Sequence, residues 1–244
     1  MTTFLWERVH MVHGQTTEYM RLFSERWLAL SDKYDRDLYA VSGFFVPDVL
    51  NTSHPSVRIL WTLGSWETWG NRHARGTAEE RLIKTFEFFN PALASRTGWT
   101  DKMIESLPCS PTTPVRPASA SPGSVAIAHT FGVKPESCQA FVETFEHDVV
   151  PAAAAAGLEL RLFARAIGHP TEYVAIWTLA NGEPYVHYRS SHDPSVPHGC
   201  LPGFEKAWTM ITDVEEEEMS PAWFSPIGGT QKNPAGPSEE QLSI

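Results

Sequence analysis

Hydrophobic and polar positions along the chain fall into segments of two alternating periods. Residues 4–13 carry Phe, Trp, Val and Met without glycine or proline, which predicts a strand. Residues 16–33 place Tyr19, Leu22, Phe23 and Trp27 at helical spacing. Strands are predicted at 38–46 and 57–63, and Ser65 suits the N-cap of a helix that begins near Trp66 and runs through the eighties. A strand over 100–107 closes this set. The same order returns as 124–132, 136–155, 158–167, 172–179, 182–206 and 208–215. The run Ala152 to Ala156 favours helix, and Gly157 behind it suits a C-cap.

The recurrence is a tandem repeat. Val57-Arg58-Ile59-Leu60-Trp61-Thr62-Leu63 resembles Tyr173-Val174-Ala175-Ile176-Trp177-Thr178-Leu179, with the two Trp-Thr-Leu tripeptides 116 residues apart. Arg8 to His13 before Gly14 parallels Val125 to Phe131 before Gly132, and Trp99-Thr100 is matched with Trp208-Thr209. Between the copies, Pro108 to Gly123 is too rich in proline, serine and threonine for a helix or a central strand. The expected organisation is a first unit over 1–107, a linker over 108–123, a second unit over 124–225 and a flexible tail over 226–244. Each unit reads βαββαβ, an α+β ferredoxin-like motif with helices on one face of its sheet. The bare faces must be covered, and two in one chain can meet as a barrel with the helices outside. A small-molecule chamber between those faces is the expected site. The run Glu215 to Glu218 reads as a solvated face.

Composition narrows the function. With 42% hydrophobic residues in 244, the chain can bury a core. A formal charge of −10 argues against nucleic acid as partner. No apolar run reaches the roughly 20 residues of a membrane span, and the N-terminus lacks a basic-then-apolar leader pattern, so a cytoplasmic protein is expected. The cysteines Cys109, Cys138 and Cys200 form no CxxC pair. Nine tryptophans and ten histidines suit a pocket for an apolar or aromatic molecule with imidazoles as polar handles.

The order of elements, with Leu60-Trp61-Thr62-Leu63-Gly64-Ser65-Trp66-Glu67-Thr68-Trp69 at the third strand and next helix start, resembles the dimeric α/β-barrel superfamily in tandem form. NIPSNAP-like proteins are the nearest flavour. The resemblance spans roughly residues 4–107 and 124–216. It implies the fold, and a superfamily of cofactor-free monooxygenases, cyclases, lyases, isomerases and haem proteins of the chlorite dismutase and haem-degrading kinds. Fold alone does not choose among them.

Histidines are the leading candidates for chemistry, because an imidazole with an ordinary pKa near ~6.5 exchanges protons at neutral pH. The stretch His187-Tyr188-Arg189-Ser190-Ser191-His192-Asp193-Pro194, followed by His198, is the strongest local constellation. The resemblance implies His187 or His192 as general base, with Tyr188 beside the substrate; exposed loop residues are the plain alternative. His10 and His129 lie on the first strands of the two units, and His73 lies in the first unit's second predicted helix. Parity turns Arg8 and His10 away from Leu5, Val9 and Met11, into the barrel. His129 alternates with Val125, Ile127 and Phe131. Arg58 suits a carboxylate or enolate ligand, or an internal ion pair with Glu7 or another acid. Trp61 and Trp177 occupy matching positions, as core fillers or pocket walls.

No HExxH, CxxCH, phosphate-binding glycine loop or GxSxG occurs, so no metal and no organic cofactor is expected. Haem is the alternative cofactor, recognisable by a Soret band, and a non-catalytic ligand-binding module is the third reading. Homodimerisation is expected from apolar helix faces bearing Trp27, Phe86, Phe88 and Phe89.

Overall fold

A computed structural model describes residues 1–34, 40–47, 55–65, 67, 70, 78–111, 125–179, 186, 188 and 203–227. His73, His187, His192 and His198 lie outside the described residues, as do much of the first part of the helix predicted to begin near Trp66 and most of the one predicted to begin at 182.

The first unit contributes strands β1 (Thr3–Met11), β2 (Ala40–Pro47), β3 (Ser56–Gly64) and β4 (Arg96–Ser106). The second contributes β5 (Val125–Val133), β6 (Leu158–Ala166), β7 (Glu172–Leu179) and β8 (Ile211–Pro221). Helix α1 runs through Thr16–Leu22, a π-helical turn at Phe23–Trp27 and Leu28–Tyr34. Helix α2 covers Ala78–Lys84, Thr85–Phe89 and Asn90–Leu93, and α3 covers Cys138–Thr144, Phe145–Val149 and Val150–Ala155. Gly157 follows α3 at φ 87°, the left-handed cap expected there. Gly157→Ala is expected to lower stability by about 1 kcal/mol in a denaturant melt, the cost of a Cβ in that conformation.

The eight strands close in the order β1-β3-β2-β8-β5-β7-β6-β4. Each half is a four-stranded antiparallel sheet of ferredoxin-like order, β4-β1-β3-β2 and β8-β5-β7-β6. The halves join at two short seams. Phe45–Pro47 pairs with Met219–Pro221, and Ile104–Ser106 pairs with Ala164–Ala166.

Strand parity then sorts the side chains into three cores. Phe4, Trp6, Phe45, Leu60, Ile104, Ala126, Ala128, Leu162, Val174, Ile176 and Met219 face the barrel interior. Val9, Met11, Phe44, Ile59 and Trp61 pack under α1 and α2. Ile127, Phe131, Phe163, Ala175 and Trp177 pack under α3. Phe145 at the α3 turn stacks on Phe163 at 3.8 Å and 11°. Phe23 at the matching α1 turn packs on Phe44 at 4.8 Å.

Three expectations change here. Glu215 to Glu218 is not one solvated face: it lies within β8, and although Glu215 is exposed, Glu217 and Glu218 are each 6% exposed. Trp27 and Phe88 are not outward apolar faces but part of the first unit's core, while Phe86 is 66% exposed. Ile227, in the stretch read as tail, is buried in the barrel interior. Among the described residues, no helix is long and apolar enough to cross a membrane.

Candidate active site in the sheet–helix layer of the second unit

The barrel interior carries charge at one mouth. Arg8 and Arg58, neighbours across β1 and β3, share Glu217 of β8. Arg8 reaches its Oε1 at 2.8 Å, and Arg58 Nε reaches its Oε2 at 2.6 Å. Arg8 also touches Glu215 at 3.4 Å. Burial pushes the Arg58 guanidinium down from its ordinary value, and Glu217 opposes that shift. Its guanidinium lies 5.3 Å from the Trp6 ring centroid. Lys102 of β4 and Glu172 of β7 pair across the other seam. Arg8 therefore points into the barrel as its parity predicts. Arg58 takes Glu217 as its acid; Glu7 accepts instead from Trp61. His10, half-buried, lies at the same end of β1.

His129 does not border the space between the two sheets. Apolar side chains occupy the interior, and His129 sits on the opposite face of β5, under the second unit's helix layer. The reason is parity: His129 falls in the Ile127–Phe131 set, which faces α3.

His129 is 1% exposed and stacks parallel to Phe131 at 5.6 Å. Its partner across the β5–β8 ladder is Glu216. His129 Nε2 lies 2.9 Å from Glu216 Oε2. Tyr188 Oη donates to the same oxygen at 2.6 Å and lies 3.4 Å from Nε2. A carboxylate only accepts, so with Glu216 ionised Nε2 carries the hydrogen and Nδ1 keeps its lone pair. Among the described residues, His129 Nδ1 has no hydrogen-bond partner, and neither has the Trp177 Nε1–H. The arrangement is a buried imidazole, oriented by a carboxylate and a phenol, with its other nitrogen bare.

The first unit shows what the same position does without a histidine. β1 and β5 are each nine residues long, and Glu7 stands where His129 stands. Trp61 Nε1 donates to Glu7 Oε2 at 2.8 Å. Burial raises the Glu7 carboxyl above its ordinary value, partly offset by Trp61 and Arg96. A raised carboxyl opposes folding once it must ionise, so stability contributed below its unfolded pKa is lost as pH rises through the folded one. Glu7→Gln keeps an acceptor for Trp61 and is expected to be more stable than the parent above pH ~5, with a flatter stability–pH curve. Melts at pH 4 to 8 check it.

Of the residues singled out from sequence, the structure brings His129 and Tyr188 together and places Trp177 in the same core. Arg8 and Arg58 lie apart from them, in the barrel interior, and Trp61 belongs to the first unit's core. Sequence reasoning missed Glu216 and Glu217. Their signal was an acidic run continuing a strand whose partner carries His129.

No family model matches the chain, and no curated protein matches it. Solved structures do. A protein from Fusobacterium nucleatum, provisionally named a monooxygenase, superposes with TM-score 0.59 at 11% identity over 90% of this chain and 92% of that one. Another of the same provisional name, from Lactobacillus acidophilus, gives 0.59 at 14% over 90% and 93%. A NIPSNAP family protein from Agrobacterium tumefaciens gives 0.35 at 14%, over 43% of this chain and 91% of that one. The full-length superpositions show the fold: this chain is a dimeric α/β barrel built from two ferredoxin-like units in one polypeptide.

Proposed function

We propose that the chain is a small-molecule enzyme in which His129 Nδ1 takes a proton from an apolar or aromatic substrate, without an organic cofactor. The observation that carries this is the buried His129–Glu216–Tyr188 cluster with its bare Nδ1. Glu216 fixes the tautomer and balances the imidazolium formed when the proton arrives. Tyr188 holds Glu216 in place. The carbanion, enolate or phenolate left behind can then cyclise, eliminate, re-protonate elsewhere as an isomer, or react with oxygen. The monooxygenase names of the two similar structures belong to those proteins, and the reading here rests on the cluster.

Haem is the competing cofactor. Among the described residues, His129 is the buried histidine, and its Nε2 is engaged with Glu216. It does not present that nitrogen to an iron. A ligand-binding module without chemistry is the other reading, and the same experiment separates it.

The test uses 2-tetralone, an aromatic ketone with exchangeable C1 hydrogens, in D2O, with exchange followed by NMR. The wild-type protein is expected to accelerate exchange over buffer, and His129→Gln to lose that acceleration by about 10²-fold or more. Equal exchange by both proteins would overturn the assignment of His129 as the base. Homodimerisation is proposed separately, on the exposed Leu82, Phe86 and Leu93 of α2; a monomeric sedimentation coefficient would refute it.

A further inference from the structure

The duplicated units hold the same indole in the same place and give it different company. Trp61 lies diagonal to Glu7 across the β1–β3 ladder, because Glu7 faces Ile59 and Leu5 faces Trp61. Trp177 lies diagonal to His129 in the same sense, because His129 faces Ala175 and Ile127 faces Trp177. Diagonal neighbours of this kind are within reach for long side chains. In the first unit the indole N–H closes a 2.8 Å bond to a carboxylate oxygen of Glu7. In the second, Glu7 is replaced by His129 and the Trp177 N–H is left buried without an acceptor. Trp27 also buries an unpartnered indole N–H, but it has no twin that shows where an acceptor belongs.

A buried donor without a partner costs free energy that a ligand can recover. The facing residue points the same way. Opposite Glu7 stands Ile59; opposite His129 stands Ala175, a methyl group in place of a branched butyl chain. The exchange that removed the internal oxygen also came with a smaller neighbour beside it.

We propose that the second unit binds a hydroxylated aromatic, a phenol or the enol of an aryl ketone, with its oxygen between Trp177 Nε1 and His129 Nδ1. That oxygen accepts from Trp177 Nε1–H and donates its own hydrogen to His129 Nδ1. The two unpartnered groups, one donor and one acceptor, together match one hydroxyl. When the hydroxyl proton moves to His129, the oxygen keeps the electron pair and the Trp177 N–H stabilises the charge formed. Trp177 is thus the oxygen-binding residue, and the first unit, whose Trp61 N–H is already taken by Glu7, binds no such ligand. This deepens the proton-transfer reading and rests on it for the role of His129.

The experiment uses 2-naphthol as probe and naphthalene as the control without oxygen, on the full chain. The Trp177 indole N–H resonance is assigned by its loss in Trp177→Phe. 2-Naphthol is expected to bind at one site per chain and to move that resonance downfield, while naphthalene leaves it in place. Trp177→Phe is expected to weaken 2-naphthol binding about three- to tenfold, the worth of one hydrogen bond. An unmoved resonance at saturating 2-naphthol, or equal shifts from both compounds, would overturn the proposal even if His129→Gln abolishes tetralone exchange. A shifted resonance alongside unimpaired exchange in His129→Gln would support the oxygen cradle and remove the base.

Discussion

Glu217→Ala is expected to destabilise the protein by about 3–5 kcal/mol, the cost of stranding a buried charge whose partner is gone. Glu217 holds one arginine on each carboxylate oxygen, and the Arg58 and Glu217 side chains are only 12% and 7% exposed. Removal leaves Arg58 in a low-dielectric interior beside Arg8, a like charge that already opposes it. Arg8, 27% exposed, can turn toward water; Arg58 has less freedom to do so. Position adds to the effect. Glu217 belongs to the second unit and both arginines to the first, so the cluster ties together halves whose backbone seams are only three residue pairs long. For a chain of this size the loss corresponds to a melting temperature lower by on the order of 10 °C. The double variant Arg58→Met with Glu217→Leu is expected to recover most of it, because a buried pair replaced by apolar side chains of similar volume is often neutral. A Glu217→Ala melt within about 1 kcal/mol of the parent would mean that the cluster behaves as a solvated surface pair.

The fold was legible because its signals are periodic and duplicated. The first strand is predicted at 4–13 and found at Thr3–Met11; the seventh matches at both ends, Glu172–Leu179. The fourth and eighth strands were legible in place but not in their bounds or register, found at Arg96–Ser106 and Ile211–Pro221, for a reason that also hid the site. Matching Trp99 with Trp208 sets these strands in the wrong register, since Trp99 lies within β4 and Trp208 in the turn before β8. The ladders give the true equivalence: Glu7 faces Asp101, and His129 faces Glu216. On the slipped register the strand ends at 215, and the acids beyond it look like surface. In the correct one they alternate, Glu216 toward the helix layer and Glu217 toward the barrel interior. Two buried networks are therefore built from adjacent residues of what reads as a uniform charged run. His129 was visible as a histidine in apolar company, but its face depends on parity relative to Ile127 and Phe131. That same parity puts Arg8, on the opposite face of its own strand, in a different compartment.

The two units also show how a duplicated fold can free one site for change. In the first, the sheet–helix layer is closed by Trp27 edge-on to Trp61 at 5.7 Å, with Phe88 against Trp27 at 5.1 Å, and Glu7 is satisfied by Trp61. That layer carries a self-contained hydrogen bond. In the second, the equivalent positions carry His129 and Ala175, and two polar atoms lack partners. Natural cores leave few such atoms, and here two belong to residues related across one ladder.

Glu216→Gln carries the second large effect, and it falls on rate rather than on folding. The amide is nearly isosteric with the carboxylate it replaces and can still accept from Tyr188, so the core is expected to persist. What changes is the hydrogen on His129. A carboxylate compels Nε2 to donate; an amide can instead present its NH2, which favours the hydrogen on Nδ1 and removes the lone pair the mechanism uses. The imidazolium formed on proton transfer also loses its buried counter-charge. Tetralone exchange is expected to fall by about 10²–10⁴-fold, comparable to His129→Gln. The double variant is expected to be no slower than either single one, because the two residues act as a unit. Tyr188→Phe removes one 2.6 Å bond to Glu216 but leaves the His129–Glu216 contact, so its loss is expected to be smaller, about tenfold. The ordering distinguishes a positioned base from a buried structural histidine. If Glu216→Gln lowers the melting temperature yet exchanges tetralone at the wild-type rate, the cluster is a folding element and the proton moves elsewhere.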